Sequence, residues 1–492
     1  VLIKKRESFA HTLRIRNGEG EIYQTTLIVK MLSLIANKFA CLDPFGAGVE
    51  MEANKPNWYD ALNGLPGLLG SSVCEALELK RWIIFLKDSL ESIGLNDDGA
   101  VSLPEELYEL LLGLERLSSR GLNDYVFWDK SHNLREEYLR KTLLGFSGQE
   151  QGLRIGKLKA LLANYLKKIE RGLKKAYNHK EGLYYSYFIN EAVEYKTIEE
   201  NGRGNFIKPL KFKQMPLPLF LEGIMHSLRV AESRSQAQGI FAAARKSQLY
   251  DRKLKMYKVN APLTAMPHEI GRCRVFTPGW LENESVWLHM EYKYILELLK
   301  NGLYEEFFAD FKNVLVPFQS PERYGRSILE NSSFIVSSVF PDERLHGGGF
   351  VARLSGSTAE FISIWLLMCA GKEPFYLDKG GRLCLEFKPV LPAWLFSQKA
   401  RNGFPKNTFA FRFLNKTTVV YHNPKRKDTF GRQGAKIKEI TVEFKDSFGN
   451  RKPNYGLVAN RPKVTLKQPC ILPPLAGEIR AGKALRIDII LD

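Results

Sequence analysis

The chain has 492 residues, which is too long for one ordinary domain, so two domains are expected. It is 44% hydrophobic and 12% aromatic, which is enough for a large core, and its formal net charge at pH 7 is +18. No apolar run is long enough to cross a bilayer, and no cysteines form a C-x-x-C pair or a metal spacing with histidine. These features argue against a membrane-spanning helical protein and a cysteine-based metal site, and neither metal nor cofactor is expected.

The positive charge is spread along the chain, with higher density at residues 157–175 and 425–438. The first stretch has apolar residues at helical spacing on its other side, and the second is typical of a hairpin rim. Solvated faces are therefore favoured over nucleic-acid binding, although the charge also suits a small anion. The six cysteines are scattered in mostly apolar settings. They predict buried thiols and a reducing, cytoplasmic compartment. Neither nucleic acid nor a membrane is expected as a partner.

Apolar residues at helical spacing dominate the chain up to about residue 372. Helices are predicted at 22–40, 71–93, 104–118, 134–143, 153–177 and 217–247. The polar stretch 201–214 is predicted to be a surface loop. About nine or ten antiparallel helices in series suggest an (α/α)6 toroid that is incomplete. Because the chain begins with Val1, we expect it to be the C-terminal part of a longer protein.

Short alternating runs punctuated by Gly and Pro replace the helical pattern from residue 374 onward. Strands are predicted at 383–387, 409–413, 417–421, 438–444 and 485–491. We therefore expect a mainly α fold class, with a helical domain over residues 1–373. An antiparallel β-sandwich is expected over residues 374–492.

The segment 55–72, KPNWYDALNGLPGLLGSS, is rich in Gly and Pro and contains one acid, Asp60. Those residues make it a poor helix and a poor strand, so Asp60 is expected on an irregular loop beside Trp58 and Tyr59. A carboxyl among such neighbours would be partly desolvated, which favours the protonated form that a general acid needs. The alternative is a structural Asp in a loop that leads into a helix.

This acid loop, residues 55–72, resembles the general-acid loop of the inverting glycoside phosphorylases of glycoside hydrolase family 94 and the related families 149 and 161. Their loop has the form Asp-Trp-Asn-Asp-x-Leu-Asn, and Asp60 aligns with its last Asp. Trp58, Leu62 and Asn63 also match, whereas Asn57 and Tyr59 depart from the pattern. The resemblance implies that Asp60 is the general acid and that Trp58, Tyr59 and Asn63 contact substrate.

A second block, TPGWLENESVWLH at residues 277–289, is similar to the Pro-Gly-x-x-Glu-Asn-x-x-x-x-x-His motif of the same families. This similarity implies that His289 binds phosphate and that Glu282 and Asn283 bind substrate. A protonated imidazole is a suitable partner for an anion. A lone His on a helix face is more often a core or surface residue, and the surrounding match favours the functional role here.

A third block, RLSGSTAE at residues 353–360, precedes an apolar helix. Ser357 and Glu360 have the spacing of a capping box, and a helix N-terminus with Ser hydroxyls suits an anion. Ser355, Gly356 and Ser357 align with the families' phosphate-binding Thr-Gly-Thr or Thr-Gly-Ser element. Glu330 corresponds loosely to a family Glu beside a substrate subsite, so the resemblance places it among the substrate contacts.

The resemblance implies inverting phosphorolysis of a β-linked gluco-oligosaccharide, in a β-glucan pathway, to α-glucose 1-phosphate and a shortened saccharide. The resemblance also implies inorganic phosphate as the co-substrate, bound in part by an Arg outside this chain. The region 147–263 matches the families poorly and could shape acceptor subsites. A hydrolase or transglycosidase on the same fold would instead need Glu282, Glu284 or Glu330 as base. An inactive carbohydrate-binding fragment is a third possibility, and a homodimer is left open.

Overall fold

The structure is a computed structural model that describes residues 12–53, 55, 58–199, 205–352, 355–444 and 463–492. The helices of these residues are α1 (Leu27–Ala40), α2 (Val73–Ser92), α3 (Glu105–Ser119), α4 (Asp124–Thr142), α5 (Ile155–Ala176), α6 (Leu221–Arg229), α7 (Arg234–Lys246), α8 (Leu288–Lys300), α9 (Tyr304–Val314), α10 (Pro321–Tyr324), α11 (Ser355–Ala370) and α12 (Leu475–Arg480). In this part of the chain, no helix is both long and apolar enough to span a bilayer.

The strands of the first three quarters are mostly short. They are β1 (Val49–Glu50), β2 (Ser71–Ser72), β3 (Ala100–Pro104), β4 (Glu150–Arg154), β5 (Tyr177–Asn178), β6 (Leu183–Tyr184), β7 (Tyr187–Glu199), β8 (Asn205–Pro216), β9 (Tyr250–Asp251), β10 (Met256–Tyr257), β11 (Val286–Trp287), β12 (Ser332–Ile335) and β13 (Gly349–Ala352). The later strands are β14 (Phe375–Leu377), β15 (Leu383–Glu386), β16 (Thr408–Phe413), β17 (Thr417–His422), β18 (Ile437–Phe444), β19 (Lys463–Leu466), β20 (Cys470–Ile471) and β21 (Ala484–Leu491).

The fold therefore mixes α-helices with several small β-sheets. The chain divides into two compact units, the first formed by Val1–Asn301 and Asp310–Leu354, and the second by Gly302–Ala309 and Ser355–Asp492. The helix α11 belongs to the second unit. The domain boundary at residue 373 stays a prediction.

Capping side chains explain where the predicted helices begin. The helix predicted from residue 22 begins at Leu27, because the Thr26 side chain accepts a hydrogen bond from the Val29 N–H. Helix α2 begins at Val73, with Ser72 capping the Glu75 N–H. The single helix predicted over 217–247 is wrong: it is interrupted between α6 and α7, and the side chain of Ser233 caps the second helix.

The polar stretch 201–214 was predicted to be a loop, and this prediction is wrong for the residues that the structure describes. Strand β8 runs antiparallel to β7, and these two strands join β1 and β2 in a four-stranded sheet. Lys211 and Lys213 lie opposite Glu194 and Glu191 across the hairpin, and Lys211 Nζ is 3.0 Å from Glu194 Oε1. Residues 201–204 lie outside the described part of the chain.

The second unit contains a three-stranded sheet, β14-β15-β20, and a five-stranded sheet, β16-β17-β21-β18-β19. The prediction of a wholly antiparallel arrangement is wrong, because β17 and β21 are parallel. Aromatic rings join the two sheets: Phe375 stacks on Phe413 with centroids 5.8 Å apart, and Phe387 contacts Phe413 edge-on at 5.2 Å. The two sheets therefore share an aromatic core at this point.

The carboxylate of Asp43 ties together both ends of the acid loop. Its side chain accepts hydrogen bonds from the N–H groups of Phe45 (3.0 Å), Ala47 (2.9 Å) and Gly48 (3.1 Å) just before β1. It also accepts one from Ser71 Oγ of β2, at 2.6 Å, and a fifth from the Gln214 amide of β8, at 3.1 Å. These contacts reinforce the pairing of β1 with β2, so the irregular segment between the strands begins and ends at one place.

Replacing Asp43 by Asn should lower the stability of the first unit by about 2–5 kcal/mol, because an amide NH₂ cannot accept the hydrogen bonds made to one of the two oxygens. Asp43 is only 1% exposed, so water cannot replace those contacts. Urea unfolding monitored by circular dichroism would measure the change. The control is Asp97→Asn, at an exposed acid. A comparable loss of stability in this control would contradict a specific stabilising role of the Asp43 hydrogen bonds.

Candidate active site

Trp58 and His289 meet, although they are far apart in the sequence. The indole Nε1–H donates to His289 Nδ1 at 3.1 Å, and the two rings lie edge to face with centroids 5.5 Å apart. Because Nδ1 accepts this bond, the neutral imidazole carries its proton on Nε2. His289 is the second residue of α8, so the fold brings the acid loop to the start of the histidine-bearing helix.

Tyr59 is a buried anchor of the acid loop. It is 2% exposed, and its hydroxyl donates to the carbonyl oxygen of Glu282 and lies 3.2 Å from Asn260 Oδ1. Its ring contacts Phe220 edge-on at 5.1 Å. Burial raises the pKa of Tyr59 well above its usual value. This environment suits a residue that positions the loop, and its predicted contact with substrate stays a prediction.

The carboxyl of Asp60 is exposed and paired with an arginine. Its side chain is 59% exposed, and Oδ1 lies 3.0 Å from Arg272 Nη2. The predicted partial desolvation by Trp58 and Tyr59 is therefore wrong, because those rings turn toward His289 and Phe220. Asp60 instead lies at the edge of an open cavity, with a cation as its nearest charged partner.

Arg272 is the site residue that sequence reasoning missed. Its backbone N–H donates to Asn63 Oδ1 at 3.1 Å, and its Nη1 lies 3.4 Å from the carbonyl oxygen of Asp60. It comes from a short segment that fits tightly against the acid loop, where a Cβ on Gly64 would overlap the carbonyl of Glu269. No motif marks this arginine, and only the three-dimensional contact reveals it.

Glu282 forms the second carboxylate of this cluster. Its Oε1 lies 3.5 Å from Arg272 Nη2, and its side chain is 16% exposed. Burial, followed by the charge of Asp60, raises the pKa of Glu282, while Arg272 opposes the shift. One guanidinium thus serves two carboxylates in different environments, and partial burial favours the protonated form of Glu282.

The neighbouring residues Asn283 and Glu284 hold the second motif in shape. Asn283 donates to the carbonyl of Phe276 at 2.7 Å and is buried. Glu284 forms a buried ion pair with Lys258 at 2.6 Å. The motif's Gly279 has a φ of 90° and lies against the backbone of Phe340, which explains a glycine here. These contacts give Asn283 and Glu284 a structural place, and the predicted binding role of Asn283 stays untested.

Glu330 has separate partners. Its carboxylate lies 3.5 Å from Arg326 Nη2, and its carbonyl accepts a hydrogen bond from the Tyr324 hydroxyl at 2.8 Å. The structure describes no contact that joins it to Asp60. Its assignment to a substrate subsite therefore stays a prediction.

The phosphate element at 355–357 starts a helix, as predicted. Helix α11 begins at Ser355, so Ser357 is the third helical residue, and the predicted capping box of Ser357 with Glu360 is wrong. Ser357 is buried, whereas Arg353 and the side chain of Ser355 lie outside the described part of the chain. Gly356 and its neighbours belong to the second unit, so a phosphate site shared with His289 stays a prediction.

An open cavity of about 440 Å³ lies beside the acid loop. It is lined by Met51, Glu52, Ala53, Lys55, Tyr59, Asp60, Leu62, Asn63, Pro66 and Gly67. Glu52 is held by Arg135 at 2.8 Å and by Lys55 at 3.1 Å. Asn57 lies outside the described residues. Within those residues, no group of three or more His, Cys, Asp or Glu side chains could hold a metal ion.

No protein-family model matches the chain, and no curated protein matches it. Two solved structures from Thermus thermophilus are similar to it. An uncharacterized conserved protein has 12% identity, with 71% of this chain and 97% of that chain covered and a TM-score of 0.27. A GH63 mannosylglycerate hydrolase in complex with glucose has 12% identity, with 68% and 92% covered and a TM-score of 0.26. Likenesses at this level decide neither the fold nor the activity.

Replacing Asp60 by Asn should lower the pKa of Glu282, because the substitution removes a negative charge that raises it. Replacing Arg272 by Met should raise the same pKa, because a compensating positive charge is lost. Carboxyl-carbon NMR titrations would measure both shifts. Asp97→Asn serves as the control, and shifts of equal sign in the two test variants would contradict the shared ion pair.

Proposed function

We propose that the protein is a carbohydrate-active enzyme that cleaves β-linked gluco-oligosaccharides by inverting phosphorolysis. The products would be α-glucose 1-phosphate and a saccharide shortened by one residue. The observation that carries this proposal is the hydrogen bond between Trp58 of the acid loop and His289 of the second motif. Two motifs that resemble the acid and phosphate elements of one enzyme class therefore meet in space, which sequence similarity alone does not require.

In the proposed reaction, Asp60 donates a proton to the glycosidic oxygen while phosphate attacks the anomeric carbon from the opposite face. The bond between that carbon and the glycosidic oxygen breaks, and the leaving saccharide keeps the proton. Phosphate is already a nucleophile, so no carboxylate has to activate water. The carboxyl of Asp60 lines the open cavity, where a saccharide could approach it.

The phosphate would be held by His289 through its Nε2–H. In the second unit, we propose that the N-terminus of α11, with Ser355, Gly356 and Ser357, is a phosphate-binding element, because the first N–H groups of a helix suit an anion. Trp58, Asn63, Glu282, Asn283 and Glu330 are the proposed substrate contacts. The proposal includes an (α/α)6 toroid followed by a β-sandwich, no cofactor, and a cytoplasmic setting. All six cysteines are free thiols, which is consistent with a reducing compartment.

A hydrolase that uses Glu282 as the base is the second candidate function. The observation in its favour is that Asp60 and Glu282 share Arg272. Its raised pKa makes Glu282 a weaker candidate for an ionised base, whereas Glu284 and Glu330 are paired with Lys258 and Arg326. Phosphorolysis, which requires no base, is therefore the function that the geometry supports best.

The first test is product analysis with β-1,2-, β-1,3- and β-1,4-linked gluco-oligosaccharides, with and without inorganic phosphate. Phosphorolysis predicts α-glucose 1-phosphate only when phosphate is present, and new saccharide in the reverse reaction with α-glucose 1-phosphate. Free reducing sugar without any sugar phosphate would contradict phosphorolysis and favour hydrolysis.

Replacing Asp60 by Asn should lower kcat by about 10²–10⁴-fold, because the general acid would be lost. Glu282→Gln should leave phosphorolysis within about tenfold of the wild type but would abolish a hydrolysis that needs this base. Initial rates of sugar phosphate release would measure both effects. Asp97→Asn is the matched control, and full activity in Asp60→Asn would exclude this residue as the acid.

A further inference from the structure

A second cavity, of about 340 Å³, is lined by Trp58 and by residues of α1, α2 and α6. The residues that line it include Trp58, Trp82, Leu79, Ile35, Glu222 and His226. Most of the wall is apolar, and two indole rings contribute to it. We call this space the tryptophan cavity.

The polar part of the wall includes the carboxylate of Glu222. Glu222 is 4% exposed, and its Oε2 accepts a hydrogen bond from the Tyr187 hydroxyl. Its Oε1 has His226 Nε2 as its nearest ionic partner, at 3.8 Å, which is too long for a hydrogen bond. Because Glu222 lines the cavity, this oxygen can accept a hydrogen bond from a ligand hydroxyl.

The charges around the tryptophan cavity are otherwise balanced. Glu75 is paired with Lys38, and Glu78 is paired with Arg81 and lies 3.5 Å from Arg229 Nη1. His226 Nδ1 also lies 3.3 Å from Glu78 Oε2. Because these acids already have cationic partners, the wall offers little attraction for an organic cation. A neutral molecule with hydroxyl donors fits the Glu222 carboxylate better.

The dimensions and surfaces suit one sugar ring. At ~30 Å³ for each water in the liquid, the space corresponds to about eleven waters, close to the non-hydrogen atoms of one hexose. The apolar C–H face of a pyranose can stack on an indole, while its hydroxyls donate to a carboxylate. Trp82 is held for such a contact, because its Nε1–H donates to Glu78 Oε1 at 3.1 Å.

We propose that the tryptophan cavity is a binding subsite for one neutral sugar residue, stacked on Trp82 or Trp58 and hydrogen-bonded to Glu222. The sugar class rests on the proposed function, whereas the cavity and its carboxylate acceptor do not. The subsite is distinct from the cavity that Asp60 lines. Trp58 belongs both to the lining of this subsite and to the contact with His289.

Glucose binding to the full chain, measured by titration with saturation-transfer NMR, tests this proposal. Trp82→Leu should weaken glucose binding about tenfold or more, because the stacking surface is lost. Glu222→Gln should weaken it similarly, because the amide turns its NH₂ toward either Tyr187 or the ligand. The matched control is Phe85→Leu, one helical turn further along α2, where an exposed aromatic lies outside the cavity.

Unchanged glucose affinity in Trp82→Leu would overturn the subsite, and so would tighter binding of tetramethylammonium than of glucose. Absence of any glucose binding to the wild type would overturn it as well. Circular dichroism would check that Glu222→Gln is folded. If this variant does not fold, Trp82→Leu supplies the test, because Trp82 is only half-buried. Asp60→Asn should bind glucose normally. Glucose binding to a wild-type chain that shows no phosphorolysis would refute the proposed function and leave the subsite standing.

Discussion

The candidate site depends on the five hydrogen bonds that converge on the carboxylate of Asp43. An irregular loop rich in Gly and Pro loses much conformational entropy when it is ordered, and its own backbone makes few regular contacts. Asp43 and the pairing of β1 with β2 bring the two ends of the acid loop together, so that only the residues between them have to be positioned. Tyr59 then fixes the middle of the loop from within the core.

Once the loop is anchored, three consecutive residues project into three different environments. Trp58 reaches the histidine of the second motif, Tyr59 enters the core, and Asp60 meets Arg272 at the surface. The run Trp58-Tyr59-Asp60 therefore provides the contact with His289, the anchor in the core and the candidate acid. The electrostatics follow from this division, because the exposed Asp60 and the half-buried Glu282 share one guanidinium but differ in their access to water.

The sequence predicted local features well, because they depend on neighbouring residues. Helix α2 and strand β16 lie within two residues of their predicted bounds, since apolar periodicity and caps are encoded locally. The sequence does not predict strand β8, because its lysines gain their acidic partners from distant residues of β7 and α4. No local pattern predicts that β17 and β21 run parallel. In the candidate site, motif similarity pointed to Asp60 and His289, whose roles stay predictions, whereas Arg272 is revealed only by a contact across the fold.

The indole of Trp58 connects two places that are otherwise separate. Its N–H is bound to His289, and its ring forms part of the wall of the tryptophan cavity. If a ligand in that cavity favours one orientation of the Trp58 ring, it also favours one arrangement of the hydrogen bond between Trp58 and His289. Thermodynamic linkage then makes the influence mutual: an anion at the histidine would change the affinity of the cavity by the same factor by which the cavity's occupant changes that of the anion.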